Sequence, residues 1–211
     1  MQVTRILTGP IPENCYIVSD KKHCLIIDPG AEGAKIQQII ASTNTTPIAI
    51  LLTHTHYDHI GAVDELRERY QVPLYVSPLE ASWLQDPLMN LSGLPRHDDI
   101  ADIYVKTPAE LFNYQTYTLN EFTFAVVPTP GHSIGSVSFV FDDFVISGDA
   151  LFKGSIGRTD LPTGNLEQLL QSIRSQLFIL PDTTTVYPGH GDATTILAEK
   201  QTNPFFHPFK N

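Results

Sequence analysis

The apolar run Ile48-Ala49-Ile50-Leu51-Leu52 is followed almost at once by His54-Thr55-His56-Tyr57-Asp58-His59, and this junction constrains the chain more than any other feature. A short, continuously apolar run suits a strand buried on both faces. In an extended segment, residues two apart point the same way, so His54 and His56 can converge on one ion. Asp58 and His59 then turn toward a second ion. Gly61 and helical periodicity follow, which puts the group at a helix N-terminus, where the dipole favours anions. Imidazole and carboxylate donors together suit zinc, iron or manganese. The alternative, a solvated polar turn, does not need four potential ligands within six residues.

Three later segments repeat the arrangement of an apolar run, a turn and a ligand. In Thr129-Pro130-Gly131-His132-Ser133, Pro and Gly force a tight turn that holds His132 out of a sheet. Ser147-Gly148-Asp149 also follows an apolar run, and a carboxylate placed there can bridge two ions with its two oxygens. Tyr187-Pro188-Gly189-His190 closes the set. Taken singly, His132 or His190 reads as a turn or core histidine and Asp149 as a cap. Their similar settings and the first cluster change that reading.

Strands are expected near Val3–Leu7, Cys15–Ser19 and Cys24–Asp28, the last ending in Asp28-Pro29-Gly30. Ile36, Ile39 and Ile40 recur at helical spacing within Ala34–Ala41. Ile60–Tyr70 reads as a helix, Leu74–Val76 as a strand, and Pro78–Gln85 as a short helix with Trp83 as a core anchor. Asp86–Asp99 reads as loop, including His97-Asp98-Asp99, a solvated stretch without converging partners. A second β-rich block covers Tyr117–Leu119, Phe122–Val127, Ser136–Phe141 and Phe144–Ile146. It precedes an amphipathic helix at Leu166–Phe178, a strand at Thr184–Tyr187 and a helix at Thr195–Lys200. Two β-rich halves, each trailed by helices, predict an α/β protein with two packed sheets flanked by helical layers. At 211 residues a single domain is expected, since that length buries an ample core.

Charge narrows the partners. With 13 Lys and Arg against 23 Asp and Glu, the net charge is −10, which repels nucleic acid and anionic membrane surfaces. A small-molecule substrate is the expected partner. Cys15 and Cys24 are expected as free, reduced thiols, because a hairpin turn at Ser19–His23 does not place them opposite one another. The first residues lack the apolar core of a signal peptide and no stretch approaches the ~20 apolar residues that span a bilayer. A cytoplasmic address is the expectation.

Taken together, Asp28, His54–His59, His132, Asp149 and His190 make the chain resemble the metallo-β-lactamase superfamily along nearly its whole length. The resemblance implies a four-layer αββα sandwich of two mixed sheets and a site for two divalent ions, zinc first, iron or manganese next. His54, His56 and His132 would hold the first ion. Asp58, His59 and His190 would hold the second, with Asp149 bridging, Asp28 supporting from behind and Asp58 as the catalytic carboxylate. The run Gly148–Phe152 with Gly154–Asp160 is similar to short, single-domain relatives of glyoxalase II, and only Asn203–Asn211 follow the final helix where glyoxalase II has a further helical domain. The implied reaction is cleavage of a hydroxyacylglutathione-type thioester by a metal-bridged hydroxide.

Lys153 and Arg158 are candidate contacts for a substrate carboxylate, against the alternative that Arg158 pairs with Asp160. Tyr57 and Tyr187 adjoin ligands and are candidate pocket walls, against the alternative that they pack. His23, His97 and His207 read as surface or loop residues. The rival activities are an iron persulfide dioxygenase, whose ligands would match His54, His132 and Asp149, and a lactonase. A true β-lactamase is disfavoured by a bridging Asp149. An RNA-processing nuclease would need basic segments that the chain lacks, and a metal-stabilised scaffold would leave a full ligand set idle.

Overall fold

The computed structural model describes residues 1–95 and 101–207. The His97-Asp98-Asp99 stretch lies outside the described residues. The two β-rich halves expected from the sequence correspond to two compact units, Met1–Phe112 and Asn113–Asn211, each described here by itself.

The first unit carries a six-stranded mixed sheet in the order β1 (Gln2–Thr8), β2 (Glu13–Ser19), β3 (His23–Ile27), β4 (Thr46–Leu51), β5 (Leu74–Val76) and β6 (Ala109–Leu111). The first three strands are antiparallel, and β3 through β6 run parallel. Parallel neighbours need crossovers, and helix α1 (Gly33–Thr43) supplies the one between β3 and β4. Ile36 and Ile40 of α1 are buried, the face its periodicity predicts. They join Ile17, Ile26, Ile50 and Leu74 in one apolar cluster. Trp83 is buried on a 3-10 turn at Ala81–Gln85.

The expected helix at Ile60–Tyr70 is two helices, α2 (Tyr57–Ile60) and α3 (Val63–Tyr70). The cause lies in the backbone. Ala62 N–H donates to Pro29 O at 2.9 Å, outside the helix, so the ladder is interrupted there. A Cβ at Gly61 would sit 2.3 Å from Gly30 O, so only glycine lets the two segments approach this closely.

Register settles the thiols of this unit. Cys15 lies opposite Ile6 and Cys24 opposite Ser19 across their ladders, so the two cysteines face different partners and both are free and buried.

The second unit has a mixed sheet ordered β14 (Thr194–Thr195), β13 (Thr185–Pro188), β10 (Phe144–Gly148), β9 (Val137–Val140), β8 (Phe122–Pro128) and β7 (Thr116–Leu119). Only β10 and β13 are parallel. A small hairpin, β11 (Leu151–Phe152) with β12 (Ser155–Ile156), follows β10. Helix α4 (Leu166–Ser172) is capped by Asn165, whose side chain accepts from Gln168 N–H at 2.9 Å. It passes into a π-helical turn at Ile173–Leu177, where Phe178 N–H reaches back five residues to Ile173 O. Leu169, Ile173 and Leu177 then form a core with Val145, Val186 and Ile196, the last on α5 (Ile196–Thr202).

Among the described residues no helix is long and apolar enough to cross a membrane.

Gly131 is a tight backbone junction of this unit. Its φ of +131° lies outside the range L side chains adopt, and a Cβ there would meet Leu169 N at 2.3 Å. Gly131→Ala is therefore expected to cost about 2 kcal/mol or more, read as a lowered urea midpoint; an unchanged midpoint would refute the argument.

Candidate metal centre

Five of the seven ligand candidates follow a strand of their unit. His54 and His56 follow β4, His132 follows β8, Asp149 follows β10 and His190 follows β13. Asp58 and His59 lie on α2.

In the first unit, alternation does the positioning. Thr53, His54, Thr55 and His56 run in sequence and are all buried. Thr53 donates both its N–H (2.7 Å) and its hydroxyl (2.6 Å) to the Asp28 carboxylate. Thr55 does the same to Oε2 of Glu80, at 2.8 and 3.0 Å. Two buried carboxylates thus clamp alternate residues of the segment. With Thr53 and Thr55 held, the backbone from which His54 and His56 project is fixed. Their rings stand 4.7 Å apart at 83°.

Asp28 also sets proton positions. The Thr53 hydroxyl has one proton, and that proton goes to Asp28. Toward His54 Nδ1, 3.1 Å away, the same oxygen can only accept. His54 therefore carries its proton on Nδ1 and presents Nε2. His59 Nδ1 lies 3.1 Å from Asp28 Oδ2, which fixes the same tautomer. One ligand atom each from Asp28, His54 and His59 lies within 4.8 Å of the others, and His59 Nε2 lies 3.8 Å from Asp58 Oδ2.

Asp28 holds a left-handed backbone, φ 49°, uncommon outside glycine and tolerated by Asp and Asn. Beneath it lies Glu13, fully buried, whose carboxylate accepts from the Thr8 hydroxyl at 2.6 Å and stands 3.8 Å from His59 Nδ1. Burial pushes the Glu13 carboxyl well above its ordinary pKa, with His59 pulling the other way. Tyr57 is held by its N–H donating to Asn90 O at 2.8 Å.

In the second unit, Oδ2 of Asp149 lies 3.5 Å from His132 Nε2 and 3.6 Å from His190 Nε2. These separations are long for hydrogen bonds. They match the ~3.4 Å between two ligand atoms that each sit ~2.1 Å from a tetrahedral zinc. His132 Nδ1 faces the Arg158 carbonyl at 2.8 Å, so it carries the proton and Nε2 is again the presented base. Gly157 keeps this corner tight, since a Cβ there would sit 1.9 Å from Asp149 O.

The remaining candidates are placed as follows. Arg158 makes a two-pronged bond to Asp160, 2.8 Å on each arm, and this holds the Asp160 carboxyl down at about 2. Lys153 is exposed on the turn between β11 and β12, 3.9 Å from Asp192. Tyr187 packs edge-on against Phe144 at 5.7 Å. Tyr57 is buried and lines a cavity of about 550 Å³ together with Asp58. His23 bonds locally to Asp20, and His207 contacts Lys200 O near the end of α5.

Glu13, Glu80, Thr53, Thr55 and Asn90 are site residues that sequence reasoning misses. The alternation of Thr with His in Thr53–His56 was the one available signal.

Comparison with known proteins adds the following. A family model described as the metallo-beta-lactamase superfamily matches residues 8–190. The chain is similar to a probable metallo-hydrolase of Streptococcus pyogenes, 50% identical over 98% of this chain and 91% of that protein. It is also similar to the hydroxyacylglutathione hydrolase GloC of Haemophilus influenzae, 34% identical over 98% of this chain and 99% of that one. Among solved structures it is similar to the BLEG-1 B3 metallo-beta-lactamase, with a TM-score of 0.92 and 42% identity over 97% and 99% of the two chains. TTHA1623, solved in a di-iron-bound form, gives 0.83 and 38% over 96% and 100%.

Proposed function

Because this chain belongs to the metallo-β-lactamase superfamily, with its α/β fold and His and Asp groups able to hold a metal, we propose that it is a metallo-hydrolase cleaving thioesters in the manner of glyoxalase II. The observation that carries this reading is the donor set. His54, His59 and His132 each carry the ring proton on Nδ1, so that Nε2 is the basic nitrogen, and one oxygen of Asp149 stands at co-ligand spacing from two imidazoles. Such a set fits divalent cations with nitrogen and oxygen preference.

The proposed ligands are His54, His56 and His132 for one cation and Asp58, His59 and His190 for the other, with Asp149 serving both. The cations, when bound, supply Lewis acidity and an activated water for attack on a carbonyl carbon. The chain's own residues supply orientation. Asp28 holds the His54 and His59 rings through Thr53 and directly, Glu80 holds the His-x-His segment, and the Arg158 carbonyl holds His132. A thioester suits this arrangement because a thiolate leaves without a dedicated acid, and the similarity to a hydroxyacylglutathione hydrolase supports that substrate class.

A second reading, β-lactam hydrolysis, is favoured by the 42% identity to a B3 metallo-beta-lactamase and uses the same attack on a carbonyl. A persulfide dioxygenase would need iron in place of zinc, and the similarity to a di-iron-bound structure keeps iron among the metals to be assayed.

The test measures bound zinc, iron and manganese per chain, then hydrolysis of S-D-lactoylglutathione and simple acyl thioesters, opening of a chromogenic cephalosporin, and oxygen uptake on glutathione persulfide. Thioester cleavage abolished by chelator and restored by metal is the expected result. Oxygen uptake or β-lactam opening without thioester cleavage would overturn the thioester reading.

A further inference from the structure

The cavity of about 550 Å³ in the first unit falls within the size range of small-molecule sites and opens directly on Asp58. Its walls are Pro10 from the β1–β2 turn, Gly30 and Ala31 after β3, Tyr57 of α2, and Ile103. The floor is rigid. Gly30 packs so closely on α2 that a Cβ would fall 1.7 Å from Asp58 O, and Ala62 N–H ties the same loop to Pro29 O. Gly9, with φ +73°, carries the opposite rim to within 3.7 Å of the Ala31 Cβ, measured from where its own Cβ would stand.

Among the described residues, the charged groups lining this cavity are acidic. They are the carboxylates of Glu32 and Asp58. Glu32 accepts from Gly9 N–H at 3.2 Å, and the nearby Lys35 ammonium is bound to Leu7 O at 2.7 Å and to Glu32. A glutathione thioester brings two carboxylates, and burying a carboxylate without a partner is costly. An uncharged acyl chain instead gains from contact with the Pro10, Ala31, Tyr57 and Ile103 walls.

From this geometry we infer that the cavity beside Asp58 is an acyl-chain subsite, making the substrate an uncharged aliphatic acyl thioester rather than a glutathione conjugate. The inference rests on the thioester reading above and sharpens it.

The test uses the metal-loaded full chain and acyl thioesters of N-acetylcysteamine, an uncharged thiol, from acetyl to hexanoyl, beside S-D-lactoylglutathione. The kcat/KM is expected to rise roughly tenfold or more from acetyl to hexanoyl and to exceed that for the glutathione thioester. Ala31→Leu extends a side chain across the cavity toward the Gly9 rim and is expected to bring the hexanoyl-to-acetyl ratio close to one at equal metal content. Binding of the non-hydrolysable S-hexyl-N-acetylcysteamine, measured by calorimetry, gives a readout independent of turnover and is expected to weaken in the same variant. A flat chain-length profile, or a ratio untouched by Ala31→Leu, overturns the subsite while leaving thioester hydrolysis in place. Binding of the thioether, lost in Ala31→Leu, without cleavage of any thioester supports the subsite and overturns the reaction.

Discussion

Asp149→Ala is expected to lower kcat/KM by on the order of 10³-fold, with loss of bound metal and little change in the folded state. Its Oδ2 stands at co-ligand spacing from both His132 and His190, so its removal deprives two imidazoles of a shared anion. Asp149 is nearly buried at the end of β10, and truncating it leaves the apolar core behind Val145 and Val186 intact. Asp149→Asn keeps the shape and removes the charge, so it should retain part of the metal and less of the activity. Metal content by mass spectrometry, with a thermal melt as the control for folding, decides the matter. Full metal content together with full turnover in Asp149→Ala would show that Asp149 holds no cation.

The second large effect is expected at a residue distant from the ligands in sequence. Glu80→Ala should weaken metal binding by about 10- to 100-fold, the usual range for groups that orient a ligand. Without the Glu80 carboxylate, the Thr55 N–H and hydroxyl, both buried, lose their acceptor, and the His54–His56 segment loses one of its two clamps. Glu80→Gln retains an oxygen that can accept both bonds and should recover most of the affinity. Competition against a chromogenic chelator measures the constants. The d–d spectrum of the cobalt-substituted protein shows whether ligand geometry changes, which a general loss of stability would not produce. Equal affinities for the alanine and glutamine variants would argue against the clamp.

Much of the candidate site was legible because its residues sit in short, chemically dense motifs beside apolar runs. The Ile48–Leu52 run lies largely in β4, and the Phe122–Val127 and Phe144–Ile146 runs lie in β8 and β10, each followed within a few residues by a ligand candidate. What escaped the sequence had no local pattern to betray it. β6, β11, β12 and β14 are two or three residues long, too short for alternation to register. The break between α2 and α3 depends on Pro29, more than thirty residues upstream, accepting a bond from Ala62. Glu13 and Glu80 look like ordinary acidic residues in the sequence. Their importance comes from burial and from Thr8 and Thr55, partners brought to them by the fold. The threonines alternating with the histidines were visible, but nothing nearby showed which carboxylates they reach.

The placement of the two cysteines gives the molecule a built-in chemical reporter. Both thiols belong to Met1–Phe112, both are buried, and burial raises their pKa, that of Cys24 to about 11. Electrophiles react with thiolates, so alkylation at neutral pH must wait until this unit opens. The Asn113–Asn211 unit carries no cysteine and stays silent in such an assay. Labelling kinetics therefore follow the opening of the segment bearing His54–His59 alone, without any engineered probe.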